Sequence, residues 1–339
     1  MMSKIDHNNL AQALESWLRI DSTSGRERQF LEVLEQGFND EDWTTERQDV
    51  TEDRFNLIAT TDKEPKVLFS THVDTVPPFL PIRRDGDIIY GRGACDTKGG
   101  LLAMWEAARR LRAQGFDEIG FLLVVGEEVD HCGAIKAQEL DMEPEQIILC
   151  EPTENQVVRA QKGMLRLQLQ TTGIAGHSAF PDDGDSAIDP LLEALARLGD
   201  HRWPVDDLLG PTTFNIGVIE GGVAANVFAP QARAELLFRA VSPVEALLET
   251  VEELVGDDVE IAEAIYNDPV FFEAPTGVDT CTVPFNTDAT YLAALGEVWL
   301  VGPGDIRHAH SDDEHIDLSE LAAGIDLYMD LARRVLDDN

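Results

Sequence analysis

The sequence predicts an α/β protein: a mixed, mostly parallel sheet with helices on both faces, interrupted by an inserted α+β domain. Three observations carry this. Short apolar runs recur along the chain, and four of them end at, or shortly before, a histidine or a carboxylate. Stretches with helical spacing of apolar residues lie between them. From Lys162 to about Pro269 the pattern changes to an alternation of period two. Fully buried parallel strands read as continuous apolar runs, and half-buried antiparallel strands read as alternation.

In chain order, residues 8–20 carry Leu10, Leu14, Trp17 and Leu18, the stripe of an amphipathic helix. Ser22 to Glu27 reads as a loop and helix start, with Ser24 and Glu27 spaced like a capping box. Phe30, Leu31, Leu34 and Phe38 mark the next helix. Asn56-Leu57-Ile58-Ala59 and Val67-Leu68-Phe69 are short strands. The second runs into Ser70-Thr71-His72-Val73-Asp74. Side chains two apart on an extended chain face the same way, so His72 and Asp74 point at one place past the strand's end. In an open parallel sheet that edge is where ligands bind. A neutral imidazole is a good zinc ligand, and a neighbouring carboxylate commonly fixes its ring. Taken alone, this pair reads more simply as surface residues; the repetition along the chain decides against that.

The loop Tyr90-Gly91-Arg92-Gly93-Ala94-Cys95-Asp96-Thr97-Lys98-Gly99-Gly100 puts Asp96 at the mouth of a helix over Leu101–Leu111. It has no Walker pattern and no strand–GxGxxG–helix unit, so it does not read as a phosphate loop. Phe121–Val125 runs into Gly126-Glu127-Glu128, and Ile147–Leu149 into Cys150-Glu151-Pro152-Thr153. Val298–Val301 leads through Gly302-Pro303-Gly304 to Ala309-His310-Ser311. Binding and catalytic groups collect at strand ends in this way. Solvated surface residues have no reason to follow each buried strand so regularly.

In the inserted region, Leu165–Gln170, Phe214–Val218 and Ala232–Phe238 read as strands, with helices at Ala187–Leu198 and Val244–Val255. The division expected is an inserted domain at 162–269 and a discontinuous catalytic domain at 1–161 and 270–339. The chain must return after the insertion to bring His310 to the other groups.

Composition limits the partners. The chain has 339 residues, 64 Asp+Glu against 26 Lys+Arg, and a net charge of -38. The acids are dispersed along the chain, and nucleic acid and anionic membrane surfaces, which both need a basic face, are not expected partners. With 43% hydrophobic residues, such acidity reads as a solvated surface adapted to a salty cytoplasm, where salt screens the self-repulsion. Cys95, Cys132, Cys150 and Cys281 form no CxxC, so reduced thiols in a cytoplasm are expected. Met1-Met2-Ser3-Lys4-Ile5-Asp6 lacks an apolar signal core, and no apolar run approaches the ~18 residues of a membrane span.

Together these motifs resemble the co-catalytic zinc peptidases and deacylases that include acetylornithine deacetylase, succinyl-diaminopimelate desuccinylase, aminoacylase and glutamate carboxypeptidase. The resemblance covers nearly the whole chain. It rests on Ser70–Asp74, Gly91–Gly99, Gly126–Glu128, Glu151–Thr153, Gly176-His177-Ser178, Gly221–Asn226 and Ala309-His310. It implies a zinc-exopeptidase-like sheet and a ferredoxin-like lid and dimerisation domain. It implies two zinc ions, with cobalt or manganese as substitutes: His72 and Glu128 on one, Glu151 and His310 on the other, Asp96 bridging. Asp74 would orient His72, and Glu127 would be the general base. His177 would act in the partner subunit's active site within a homodimer. Asn226 and Arg239 fall where lid residues meet a substrate carboxylate, although Arg239 lacks the acidic residue the family often has two places earlier. The activity implied is amide hydrolysis of an N-acyl amino acid, as in the acetylornithine deacetylase of arginine biosynthesis. Dipeptidase or carboxypeptidase action is the alternative, and a non-catalytic metal-binding scaffold is the rival of another class.

The chemistry stands beside the resemblance. Zinc takes imidazole nitrogen and carboxylate oxygen, and catalytic sites keep a position open. Adjacent Glu127 and Glu128 diverge, so one is free to bind metal while the other meets water. His131, His308 and His315 match no ligand position and are expected at the surface or behind the ligands. Cys95 and Cys150 read as buried packing residues. Asp312-Asp313-Glu314 reads as solvated charge, with Glu314 able to support the metal loop from behind. No GxSxG is present, so Ser178 reads as a loop hydroxyl.

Overall fold

The computed structural model describes residues 7–337. Met1–Asp6, read above as lacking a signal core, lies outside the described residues. The chain falls into two compact units. Among the described residues, the first comprises 7–159, Phe272–Cys281 and 287–337, and the second Ala160–Phe271 with Thr282–Asn286.

The first unit is built on a six-stranded mixed sheet. Its order is Thr44–Asp49, Phe55–Thr60, Ile119–Val124, Val67–His72, Gln146–Leu149, Glu297–Leu300. The last four are mutually parallel, and the first two pair antiparallel at one edge. Every residue of Val67–His72, Ile119–Val124 and Gln146–Leu149 is buried. That is why these strands read as unbroken apolar runs. The core under the sheet is aromatic: Phe38 stacks on Trp105 at 3.8 Å, and Phe121 packs against Phe38, Trp43 and Phe69. Helices Lys98–Arg112 and Leu318–Leu336 pack on each other. Tyr328 ties the second to the sheet by donating to the Val301 carbonyl at 3.0 Å.

Two glycines let the functional loops close on this sheet. A Cβ on Gly100 would lie 2.1 Å from Cys150 Sγ, so the helix that follows Asp96 presses on the strand that leads to Glu151 only because Gly100 has none. Gly126 has φ +82°, and a Cβ there would meet Cys132 Sγ at 2.6 Å and Arg54 Nη2 at 2.7 Å.

One local expectation fails. Helix Arg28–Asp40 has Glu27 at its N-cap position without a side-chain capping bond. Ser24 Oγ instead donates to Asp74 Oδ2 at 2.8 Å, and Glu27 pairs with Arg54 at 2.6 Å. The hydroxyl is turned away from the helix to donate to a buried carboxylate at the strand end.

The second unit carries a four-stranded antiparallel sheet in the order Thr213–Gly221, Gln231–Ala240, Gly163–Thr172, Glu260–Asn267. Helices Ile188–Asp200 and Val244–Val255 complete a β-α-β-β-α-β arrangement. Ala232, Ala234, Leu236, Phe238 and Ala240 are buried along one face of Gln231–Ala240, and the residues between them are less so. Among the described residues, no helix is long and apolar enough to cross a membrane.

Candidate metal centre and active site

Parallel strands put their carboxyl ends on one side of the sheet, and the candidate residues gather there. His72 ends Val67–His72, Glu127 and Glu128 follow Ile119–Val124, Glu151 follows Gln146–Leu149, and His310 follows Glu297–Leu300 after a loop. Asp96 enters from the loop before helix Lys98–Arg112.

His72, Asp96 and Glu151 are buried. Asp96 Oδ1 lies 3.0 Å from His72 Nε2, and its Oδ2 lies 3.4 Å from His310 Nε2. One carboxylate therefore faces both imidazoles. His310 Nε2 lies 3.0 Å from Glu128, and His72 Nε2 lies 3.9 Å from Glu151 Oε1. The resemblance pairs His72 with Glu128 and Glu151 with His310. The direct contacts fall the other way, although donor atoms of His72, Asp96 and Glu128 also come within 4.8 Å of one another. Chain order says nothing about which side chains converge once the loops fold over the sheet.

Asp74 does more than orient His72. His72 Nδ1 is 2.9 Å from the Asp74 backbone carbonyl and 3.5 Å from the carboxylate. The Asp74 carboxylate accepts from the backbone N–H groups of Gly126, Glu127 and Glu128 at 2.9, 3.1 and 3.2 Å. It thereby shapes the turn that presents the two glutamates. Glu128 turns toward His310, and Glu127 turns toward His131 Nδ1 at 3.9 Å.

The electrostatics follow from carboxylates crowded out of water. Burial pushes the pKa values of Glu127 and Glu151 well above the usual carboxylate range, and burial with the Asp96 charge raises Glu128. Asp96 is lowered, because its bonds to His310 and His72 outweigh the effect of burial. Burial opposes charge on His72, but Asp74 and Asp96 hold its pKa well above the ordinary value. Asp96 and Glu128 hold His310 at about 10.

Two residues for which the sequence left a supporting place open take it. Glu314 is not solvated charge: it is buried and paired with Arg92. Its Oε1 accepts from the N–H groups of Gly93, Cys95 and Asp96 at 2.9, 3.2 and 3.1 Å, which fixes the loop that carries Asp96. His131, expected at the surface or behind the ligands, takes the second place: it bonds Asp288 at 2.8 Å and is only 12% exposed. Cys95 and Cys150 are buried, and all four cysteines are free.

His177, Asn226 and Arg239 lie in the second unit. His177 bridges to Val227, and Ser178 N–H donates to the Asn226 carbonyl at 3.0 Å, so His177 and Asn226 are neighbours there. Both are exposed. Arg239 lies in Gln231–Ala240, opposite Thr213 and Met164.

A donor set of two imidazoles and three carboxylates fits divalent metal. The structure supplies a direct sign of it: Glu151 Oε1 is buried and has no hydrogen-bond partner. A buried unpaired acceptor costs about 1–3 kcal/mol, and more when charged, a cost that a cation at this position removes.

Comparison with known proteins agrees. A family model described as peptidase family M20/M25/M40 matches residues 68–334. The chain is 36% identical over 334 residues to a peptidase M20 domain-containing protein of Schizosaccharomyces pombe, covering 95% of this chain and 83% of that one. It is 33% identical over 375 residues to a probable carboxypeptidase of Aspergillus fumigatus, covering 94% and 84%. In structure it is similar to a tripeptidase from Staphylococcus aureus, with a TM-score of 0.82, 21% identity and coverage of 98% and 100%. It is also similar to a dinuclear metal-binding M20 peptidase from Bacillus subtilis, with a TM-score of 0.71, 16% identity and coverage of 98% and 99%.

Proposed function

The chain belongs to peptidase family M20/M25/M40, and from that premise we propose that it hydrolyses the amide bond of an N-acyl amino acid, with Glu127 as general base. The observation that carries the reading is the divergence of the adjacent glutamates. Glu128 meets His310 inside the cluster, while Glu127 stands beside it.

Two metal ions fit the cluster, and zinc suits its nitrogen and oxygen donors, with cobalt or manganese as substitutes. His72 and Glu151 would hold one, Glu128 and His310 the other, with an oxygen of Asp96 toward each. When bound, the pair supplies Lewis acidity toward the scissile carbonyl and toward water. Glu127 takes the proton of the attacking water and returns it to the leaving nitrogen. Burial raises its affinity for a proton above that of an ordinary carboxylate, which suits a group that must accept one. Asp74 keeps this geometry by holding the backbone of both glutamates. His177 is assigned to the developing oxyanion in the partner subunit of a homodimer. Asn226 and Arg239 are assigned to the substrate carboxylate. The setting we assign is a high-salt cytoplasm.

A second reading is exopeptidase action on short peptides, favoured by relatives named probable carboxypeptidase and tripeptidase. A panel of N-acyl amino acids, dipeptides and tripeptides, assayed with zinc or cobalt at molar salt, separates the two. Release of free amino acid from acyl substrates is expected. Turnover of peptides alone moves the assignment to the second reading. Bound metal without turnover of any amide overturns both and leaves a binding protein.

A further inference from the structure

Beside the five-residue cluster stands a second group of donors that shares none of its residues. The chain from Gly126 to His131 makes a tight turn, with His131 N–H returning to the Gly126 carbonyl at 2.8 Å. His131 itself is left-handed, with φ 55°. This turn brings Glu127 and His131 to one side: His131 Nδ1 lies 3.9 Å from Glu127 Oε1. Asp288 reaches the same nitrogen from just before helix Ala289–Leu292, at 2.8 Å through Oδ1. The His131 ring packs against Tyr291 at 5.3 Å, which limits its rotation. Donor atoms of Glu127, His131 and Asp288 all lie within 4.8 Å of one another.

A histidine–aspartate pair alone would explain the 2.8 Å bond. It does not explain the rest of Asp288. That residue is 1% exposed, and its Oδ2 is buried without a hydrogen-bond partner. Two carboxylates and a neutral imidazole balance the charge of a dication. One nitrogen and two oxygens are also a three-ligand set of the kind that leaves zinc a fourth, open position.

We propose that Glu127, His131 and Asp288 form a third divalent-cation site, and that its occupation inhibits the enzyme. The inhibition rests on the reading of Glu127 as the general base: a cation on this carboxylate takes the lone pair that must accept the proton of water. Donor atoms on one tetrahedral zinc lie roughly 3.3 Å apart, given metal–ligand bonds near 2.0 Å. The Asp288 contact therefore widens, and the Glu127 contact closes, by about half an ångström each once the imidazole proton leaves.

The test uses the full chain loaded with two equivalents of zinc, with free zinc then raised in a metal buffer. Bound zinc is counted by equilibrium dialysis and elemental analysis, and amide hydrolysis is followed in parallel. A third equivalent is expected to bind in step with loss of at least nine-tenths of the rate, an outcome stated to about a tenfold change. His131→Gln and Asp288→Asn should each stop at two equivalents. Loss of supporting residues behind metal ligands already costs about 10–100-fold in affinity, so half-inhibition in each variant moves up by at least about tenfold. The two variants guard against either one misfolding. Binding that stops at two equivalents in the unmodified chain overturns the site. So does a third equivalent that both variants retain, and a third equivalent without rate loss overturns the inhibitory role. If the two-zinc protein hydrolyses no amide at all, the proposed function fails instead, and the dialysis count still decides the site.

Discussion

Glu314→Gln strikes the loop that carries Asp96 without touching Asp96. The Glu314 side chain is 0% exposed and its partner Arg92 is 2% exposed. The amide keeps one carbonyl oxygen for the N–H groups of Gly93, Cys95 and Asp96, but it removes the charge that balances Arg92. Breaking a buried pair from one side costs roughly 3–5 kcal/mol, because the surviving charge stays buried and uncompensated. The three backbone bonds also pass from charge-assisted to neutral, which adds to the same loss rather than offsetting it. The variant is therefore expected to lose about 3–5 kcal/mol in chelator-treated protein. Denaturant titration by tryptophan fluorescence measures this, since Trp17, Trp43, Trp105 and Trp299 report on the first unit. The loss should persist at molar salt, because a buried pair is screened far less than a surface one. Metal affinity should fall with it, since the Asp96 loop is held less firmly. A loss under about 1 kcal/mol, with metal affinity unchanged, would refute the role given to Glu314.

Three further outcomes are expected. His72→Ala and Glu151→Gln should weaken one metal, and His310→Ala and Glu128→Gln the other; chelator competition with each variant checks the pairing, and a shared loss for His72 and Glu128 would restore the arrangement implied by resemblance. In chelator-treated protein, Asp288 holds His131 at about 9 against an ordinary 6.5. That raised value contributes about 3 kcal/mol of stability, fully present below about pH 6.5 and lost as pH rises through about 9; His131→Gln should flatten this pH dependence, and an unchanged profile would contradict it. The homodimer assigned to the inserted domain carries -38 per chain, so it should hold at molar salt and loosen, with loss of activity, as salt is removed. Mixing His177→Ala with Glu127→Gln chains should then restore part of the activity, and verified subunit exchange without recovery would exclude action across the interface.

What the sequence made legible is what burial writes into it. Val67–His72, Ile119–Val124 and Gln146–Leu149 are buried throughout, so their apolar runs stand out and their polar ends mark the site. Thr44–Asp49 escaped notice because this edge strand, Thr-Thr-Glu-Arg-Gln-Asp, buries no side chain fully and is held by its backbone pairing. Helix Leu318–Leu336 did carry a signal: Leu321, Ile325, Tyr328 and Ala332 form a buried stripe, and Asp317 caps its first turn by accepting from Ser319 N–H at 2.7 Å. Ser24 was misread because its partner, Asp74, lies far along the chain and nothing local announces it. Glu314 reads more readily as solvated charge than as a support for the same reason, since it looks like its neighbours Asp312 and Asp313 until Arg92 and Gly93 fold against it. Motif order picked out the candidate residues, but only the loops' return over the sheet puts His310 beside Glu128 and His72 nearer Glu151.

The measurement that bears most directly on the central claim is the Glu127→Gln exchange, read as rate and metal content on the same sample. The amide keeps the size and a polar contact but does not accept a proton. With Glu127 as base, the rate of amide hydrolysis should fall by roughly 10²–10⁴ or more, while the protein still binds two equivalents of zinc. Loss of one metal equivalent along with the rate would make Glu127 a ligand and reverse the roles of the two glutamates. An undiminished rate would remove it from the chemistry altogether.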